Sequence, residues 1–415
     1  MSSLLPNGWL ISCLGECLNN KPQYGANTSA LPFSDNLIRY IRITDIDNTG
    51  NLIDSVKVGI ESSDAEGYIL INNDLLIART GNTVGKSYLH KSTNGKAAYA
   101  GYLIKFTLNN EKLLADYIFQ YTQSGFYKKW VIGMLRHGAQ PNINATEYSE
   151  LELLLPPLPE QQKIAQILTS VDEVIEKTQA QIDKLKDLKT AMMQELLTKG
   201  IGHVEFKDSP VGKVPVGWEV KPLEELCSLV GVGIASSTTH AYTNIGVALL
   251  RNQNILRDGI RKTDMLYITE EFSEQNSSKK IYKRDVISIR TGYPGVSAVV
   301  PDEFDGCHSF TTLISRPIES LLNSDYLALL INSDYGQTFV TGGQAGGAQQ
   351  NLNSSVLKAF PVILPPLEEQ KAIFNTVEAI SIKLRLIIDR KNKILATKKA
   401  LMQDLLTGNV RVKVQ

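Results

Sequence analysis

Between residues 160 and 199 the polar background of the chain is broken at a regular step. Ile164, Val171, Thr178, Leu185 and Met192 recur every seven residues, flanked at the four-residue step by Leu168, Ile175, Ile182 and Leu196. The pattern returns later as Ile373, Ile380, Ile387, Ile394 and Leu401, with Val377, Leu384 and Leu405 alongside. A heptad repeat sustained this long predicts a coiled-coil seam. A helix of that length would extend about 60 Å. Each stretch follows a proline pair, Pro156–Pro157 and Pro365–Pro366, which disfavours helix immediately before it. Each then opens with acids, suited to the positive end of a helix dipole.

The rest of the chain has a different period. LIRYIRI, YILI, LLIA and AGYLIKF precede the first helix, and VALLRN, MLYITEEF, DVISI and SAVV precede the second. Short apolar runs of this kind between turn residues predict strands. KLLADYIFQYTQSGFYKKWV and SDYLALLINSDYGQTFV predict amphipathic helix late in each block. The expected fold class is α/β (α+β). Domains at 1–155 and 214–363 are joined by long helices at 156–200 and 364–410, with a linker at 201–213.

These blocks are one unit written twice. LPPLPEQQKIAQIL at 155–168 returns as LPPLEEQKAIFNTV at 364–377, and AMMQELLTKG at 191–200 as ALMQDLLTGN at 400–409. GAQPNIN at 138–144 returns as GAQQNLN at 347–353, and PNGW at 6–9 as PVGW at 215–218. All share one offset of 209 residues, kept also by Arg42 and Arg251. If the second helix pairs with the first, it must run back along it. The expectation is an antiparallel pair with one domain at each end, related by an approximate two-fold axis. Such a ruler suits a target with two similar but non-identical parts. Duplex DNA is one, with half-sites ~34 Å or more apart.

Composition narrows the class. Of 415 residues, 43% are hydrophobic and 21% charged, as in ordinary globular proteins. No apolar run is long enough to span a bilayer, and the opening residues lack a secretory pattern, so a cytoplasmic protein with no membrane partner is expected. Cys13, Cys17, Cys227 and Cys307 have neither CxxC spacing nor a nearby histidine, which predicts reduced thiols and no metal site. Formal net charge is zero, so any basic face must be offset by acids elsewhere.

RTGNTVGKS at 79–87 approaches the phosphate-binding pattern G-x-x-x-x-G-K-[ST]. Only three residues separate Gly81 from Gly85, however, and the second copy, RTGYPGVSA at 290–298, puts Val296 where Lys86 stands. A tight turn after a strand is the better expectation than an ATP site.

LPPLPEQQKI and LPPLEEQKAI, GAQPNIN and GAQQNLN, FKDSPVGKVPVGWEV at the central junction, and QELLTKG and QDLLTGN at the helix ends form a set. Through them the chain resembles the specificity subunit of Type I restriction–modification systems over nearly its whole length. The resemblance implies two target-recognition domains reading an asymmetric bipartite site in double-stranded DNA, with no catalysis by this subunit. It implies two adenine methyltransferase subunits and ATP-driven restriction subunits as partners. S-adenosylmethionine, ATP and Mg would then be used by those partners and no cofactor by this chain. No [DNS]-P-P-[YFW] motif contradicts this.

Arginine reads guanine, Asn and Gln read adenine, and Lys and Arg neutralise phosphates. The candidates are Arg79, Asn82, Lys86, Arg136 and His137 in the first domain. In the second they are Arg290, Tyr293 and the basic run Lys279, Lys280, Lys283 and Arg284. Arg42 and Arg251, kept in both copies, suit a shared structural or phosphate-binding role. Gln140, Asn142, Asn144, Gln349, Asn351 and Asn353, kept in both copies, are expected to cap or brace the join to the helix. Two rival classes are an ATP-using coiled-coil enzyme, suggested by Lys86, and a protein scaffold without DNA, suggested by the zero net charge.

Overall fold

The computed structural model describes residues 5–135, 141–342 and 351–414. The chain divides into two compact units, 1–180 with 388–415, and 181–387.

In the first unit, strand Leu75–Ala78 is buried at every position because it lies between two cores. Leu75 and Ile77 face one cluster, with Phe106, Tyr117 and Leu168. Leu76 and Ala78 face the other, with Ile41, Tyr88 and Tyr99. Alternation with period two sends successive side chains to opposite faces, so a strand covered on both sides reads as one apolar run. Its sheet runs Gln23–Tyr24, Leu103–Phe106, Leu75–Ala78, Ser87–Leu89, all antiparallel. A second sheet runs Leu31–Pro32, Val58–Ile60, Ile38–Ile41, Ala97–Tyr99, its last pair parallel. The second unit repeats both orders. Cys227–Val232, Thr312–Pro317, Val286–Ile289 and Ser297–Val299 form one sheet, and Tyr242–Thr243, Leu266–Ile268, Val247–Leu250 and His308–Ser309 the other.

Long helices span Leu158–Lys199 and Leu367–Thr407. Both begin after the proline pairs that the sequence placed inside or at their starts, since the residue before a proline is driven out of helical geometry. In the first unit their segments run antiparallel: Lys398 Nζ lies 2.5 Å from Asp172, and Lys391 donates to Gln179. In the second unit the end of the first helix meets the start of the second, with Leu197 and Ile373 in one core. Of the seam positions, Ile164, Leu168, Ile182, Ile373, Val377 and Leu405 are buried. Val171, Ile175, Leu185, Met192, Leu196, Ile380, Leu384, Ile387, Ile394 and Leu401 are half-buried. Leu197, outside the seam, is buried in the domain core.

Two expectations need correction. The stretch read as a linker folds into a hairpin, Phe206–Ser209 against Gly212–Pro215. Each late amphipathic segment is two helices, Ala115–Thr122 then Gly125–Met134, and Ser324–Asn332 then Asp334–Gly342. Serines at the breaks turn their hydroxyls on the new helix: Tyr127 N donates to Ser124 Oγ and Gly336 N to Ser333 Oγ, each at 3.3 Å. Hydroxyl side chains compete in this way for main-chain groups.

The repeated LPPLxEQ motif forms the joint between domain and helix. Gln161 Oε1 accepts from Leu114 N, and its Nε2 donates to the carbonyls of Lys112 and Pro156, all at 2.9 Å. Gln370 does the same with Asn323 N at 2.8 Å and with the carbonyls of Leu321 and Pro365 at 2.9 Å. Beside them, Trp9 and Trp218 donate their indole N–H groups to Glu160 and Glu369, at 3.3 and 2.9 Å. Glu160 also pairs with Arg411, and Glu369 with His203 at 2.8 Å.

Gln370→Leu strands one buried and two partly buried main-chain groups and should destabilise the chain by roughly 2 kcal/mol or more. Lys371→Ala, one residue on and half exposed, should cost less than about 0.5 kcal/mol. Urea denaturation of both variants checks this, and equal effects would mean that the amide is not the joint.

Candidate nucleic-acid interface

The RTG turn leaves the end of the central strand in both units and is pinned by the segment that follows the recognition domain's last helices. Gly81 N donates to the Pro141 carbonyl at 3.0 Å and Ile143 N to the Arg79 carbonyl at 2.9 Å. In the second unit Leu352 N donates to the Arg290 carbonyl at 2.8 Å, and Thr291 bridges Asn351 as Thr80 bridges Asn142. Asn144 and Asn353 then cap the short helices Ala145–Ser149 and Ser354–Lys358. These asparagines thus brace the turn and its following helix ahead of the join.

This geometry also explains the glycine–lysine likeness. Gly85 has φ +84°, and a Cβ there would lie 2.8 Å from Val131. Gly295 matches it, at φ +84° and 3.0 Å from Val340. The second glycine is required by close packing and by a left-handed backbone. The loop amides are engaged internally: Val84 N on Gly81 O, Gly85 N on Ala78 O and Lys86 N on Thr83 O. Lys86 Nζ donates to the Ile46 carbonyl at 3.2 Å instead of reaching over the loop. The lysine and these three amides, the groups that a phosphate would need, are thus already engaged within the chain.

Arg79 is half-buried, with its guanidinium carbon 4.8 Å from the ring centroid of Tyr24. Tyr24 is itself held by the Ala145 amide, which donates to its hydroxyl at 3.1 Å. The Nε atoms of both Arg79 and Arg290 are buried without a hydrogen-bond partner among the described residues. A guanidinium packed in this way keeps a fixed direction at little entropic cost when a partner arrives. Asn82 is exposed beside Arg79, and Tyr293 is 79% exposed beside Arg290. Arg42 and Arg251 follow the strands Ile38–Ile41 and Val247–Leu250 at matched positions. Arg42 is bound by Asp45, with Nη2 to Oδ1 at 2.8 Å, and these hydrogen bonds raise its pKa above the ordinary value.

The basic run does not stand as a free cationic face. Lys280 pairs with Glu274 at 2.6 Å and Arg284 with Asp325 at 2.7 Å, while Lys283 donates only its main-chain N–H to Asp305 Oδ1. Lys279 is half-buried. Acids brought in from other segments neutralise two of the four charges, those of Lys280 and Arg284. Arg136, His137, Gln140 and Gln349 lie outside the described residues. Sequence reasoning missed Tyr24, which no spacing links to Arg79, and Asn252, whose position beside the shared Arg251 was the available signal. Asn252 Nδ2 donates to Thr291 O and Oγ1, at 3.1 and 3.2 Å, tying two arginine-bearing turns together. Among the described residues no group of acids, histidines or cysteines could hold a metal, and no helix is long and apolar enough to cross a membrane.

Both copies of the domain thus carry an arginine-bearing turn at the same strand end, and both long helices run through the two units. The sequence profile described as Type I restriction modification DNA specificity domain matches residues 6–187 and 215–396, and the chain belongs to that family. The MjaX putative type I restriction enzyme specificity subunit of Methanocaldococcus jannaschii is 28% identical, over 87% of this chain and 85% of its own length. The MjaVIII type I restriction enzyme specificity subunit of the same organism is 26% identical, over 83% and 81%. The crystal structure of a Type-I restriction-modification system S subunit from M. genitalium shares the fold. It has a TM-score of 0.60 and 13% identity, over 97% of this chain and 98% of that one.

Ligand binding to the folded state raises thermal stability by mass action. Millimolar Mg-ATP should therefore leave the melting temperature of the purified chain unchanged, with or without Lys86→Ala. A rise in the parent chain that Lys86→Ala abolishes would restore the loop as a nucleotide site.

Proposed function

We propose that this chain is the DNA-specificity subunit of a Type I restriction–modification complex, with each domain reading one half of an asymmetric bipartite site. The observation that carries the reading is the match of the specificity-domain family to both copies, together with an Arg-bearing turn at the same strand end in each. Divergence between the copies falls in the domains, while the joints repeat, as two readings on a common frame require. Phosphate contacts would fix register, and base-edge contacts from residues such as Arg79, Asn82 and Tyr293 would discriminate sequence. The chain is non-catalytic. Two adenine methyltransferase subunits and, in the larger complex, ATP-driven restriction subunits carry out the chemistry. S-adenosylmethionine, ATP and Mg bind to those partners, and the complex acts in the cytoplasm. The number of base pairs between half-sites is set by the long helices, each of which passes unbroken from one unit into the other.

Exchanging residues 1–155 for the corresponding domain of a relative should change one half of the methylated site and leave the other intact. Mapping methylated adenines in cells that carry the chimaera and its partners gives the answer. Alteration of both halves would refute independent reading.

Seven residues inserted after Lys177 and seven after Leu386 keep both seams in register and add about 10 Å of helix. The preferred gap should widen by at most about three base pairs, at ~3.4 Å each. Efficient methylation at the original gap alone would rule out the helices as the spacer.

A further inference from the structure

The two domains differ in charge at one matched position of the interface, and the difference lies in a single atom. Asp45 and Asn254 occupy equivalent places, three residues after Arg42 and Arg251. Both side chains are buried, and both accept the main-chain N–H of their arginine through Oδ, at 2.9 and 3.0 Å. In the first domain the Asp45 carboxylate also takes the Arg42 guanidinium, from Nε at 3.1 Å and from Nη2 at 2.8 Å. In the second, the Asn254 amide turns its Nδ2 to the carbonyls of Arg261 and Thr263, each at 3.2 Å, and brings no charge.

Arg251 is thereby left without an ion pair among the described residues. One terminal nitrogen donates to the Asp264 carbonyl at 2.5 Å, and its Nε is buried with no partner. The neighbouring Asn252 holds this turn against Thr291, yet its own Oδ1 is buried and unpartnered, as is the Nε of Arg290 on the adjoining turn. Two orphaned donors, the Nε atoms of Arg251 and Arg290, thus lie on two hydrogen-bonded turns, with Asn252 Oδ1 an orphaned acceptor that calls for a donor instead. Buried polar groups are normally satisfied, and each exception calls for an explanation. The first domain has Ile43 in place of Asn252 and a neutralised arginine in place of Arg251.

We propose that Arg251, with Arg290 on the adjoining turn, binds a phosphate of the DNA backbone, and that the first domain makes no equivalent contact because Asp45 has already neutralised Arg42. A phosphate supplies both the missing negative charge and the missing acceptors, in the planar geometry that guanidinium favours. The inference rests on the DNA-specificity reading. It adds that the half-site read by the second domain is anchored more strongly by charge than the other.

The test uses the full chain assembled with its partner subunits and a duplex carrying the methylated site mapped in cells, with affinity measured across a salt series. Each phosphate contact contributes about 0.9 to the slope of log affinity against log salt. Arg251→Gln should flatten the slope by about 0.9 and weaken binding roughly tenfold at fixed salt. Arg251→Lys, which keeps the charge, should retain the slope. Asn254→Asp should flatten it as Arg251→Gln does, by giving the second domain the first domain's pairing, and Asp45→Asn should steepen it. The proposal is overturned if Arg251→Gln leaves the slope unchanged and relaxes one base of the site, since Arg251 would then read a base. Equal losses from Gln and Lys would make its role structural, and an unchanged slope with Asn254→Asp would likewise overturn it. Failure of the parent complex to bind duplex DNA with any salt dependence would instead sink the broader reading, so the two failures are distinguishable.

Discussion

Each recognition domain depends on one strand that no solvent reaches. Leu75–Ala78 and Val286–Ile289 are covered on both faces, so neither can slip by one residue without exchanging its two sets of side chains between cores. That fixed register determines where the strand ends, and hence where Arg79 and Arg290 leave the sheet. Tyr148 donates to the Ala78 carbonyl at 2.9 Å and Tyr127 to the Gly85 carbonyl at 3.0 Å, so buried phenols hold both ends of the first turn. In the second unit the Asn332 amide clamps Ser297 through both its N–H and its carbonyl. The means differ, yet both hold the turn rigidly with its arginine at the edge.

Charge is organised by the same economy. The zero formal charge is compatible with DNA binding because many cations are already paired inside the domain that carries them. Arg316 grips Asp285 through two nitrogens at 2.8 Å, Arg284 reaches Asp325, and Lys280 reaches Glu274. Arg79, Arg251 and Arg290 stand apart because each has a buried Nε with no partner among the described residues. Counting basic residues along the chain would instead have favoured 279–284.

The sequence was most legible where one periodicity persisted over many residues. The long helices and the duplication could be read from recurrence alone, and the antiparallel direction followed from the order of the parts once the helices were taken to pair. Short helices were harder, because the breaks at Ser124 and Ser333 depend on a hydroxyl turning back onto a main-chain N–H, which composition does not reveal. At the site, Arg79 and Arg290 were visible through the repeated RTG. Tyr24 was not, because it lies 55 residues from the arginine it supports. The difference between Asp45 and Asn254 was plainly present in the sequence. Its meaning needed the folded turn, which brings each side chain against the arginine three residues before it.

The glutamine joints have an evolutionary consequence. Apart from one proline carbonyl beside the helix, Gln161 and Gln370 recognise their domains through main-chain atoms alone: an N–H at Leu114 or Asn323, and a carbonyl at Lys112 or Leu321. Main-chain groups are common to every sequence, so the glutamines place no demand on the side chains they face, and the joint asks of a domain chiefly the tryptophan that meets Glu160 or Glu369. A recombination crossover within the stretch encoding LPPLxEQ can therefore deliver a foreign domain that attaches as it folds, provided it carries the tryptophan. Side chains in the loops are left free to drift under selection for new targets, while the socket that receives them stays the same.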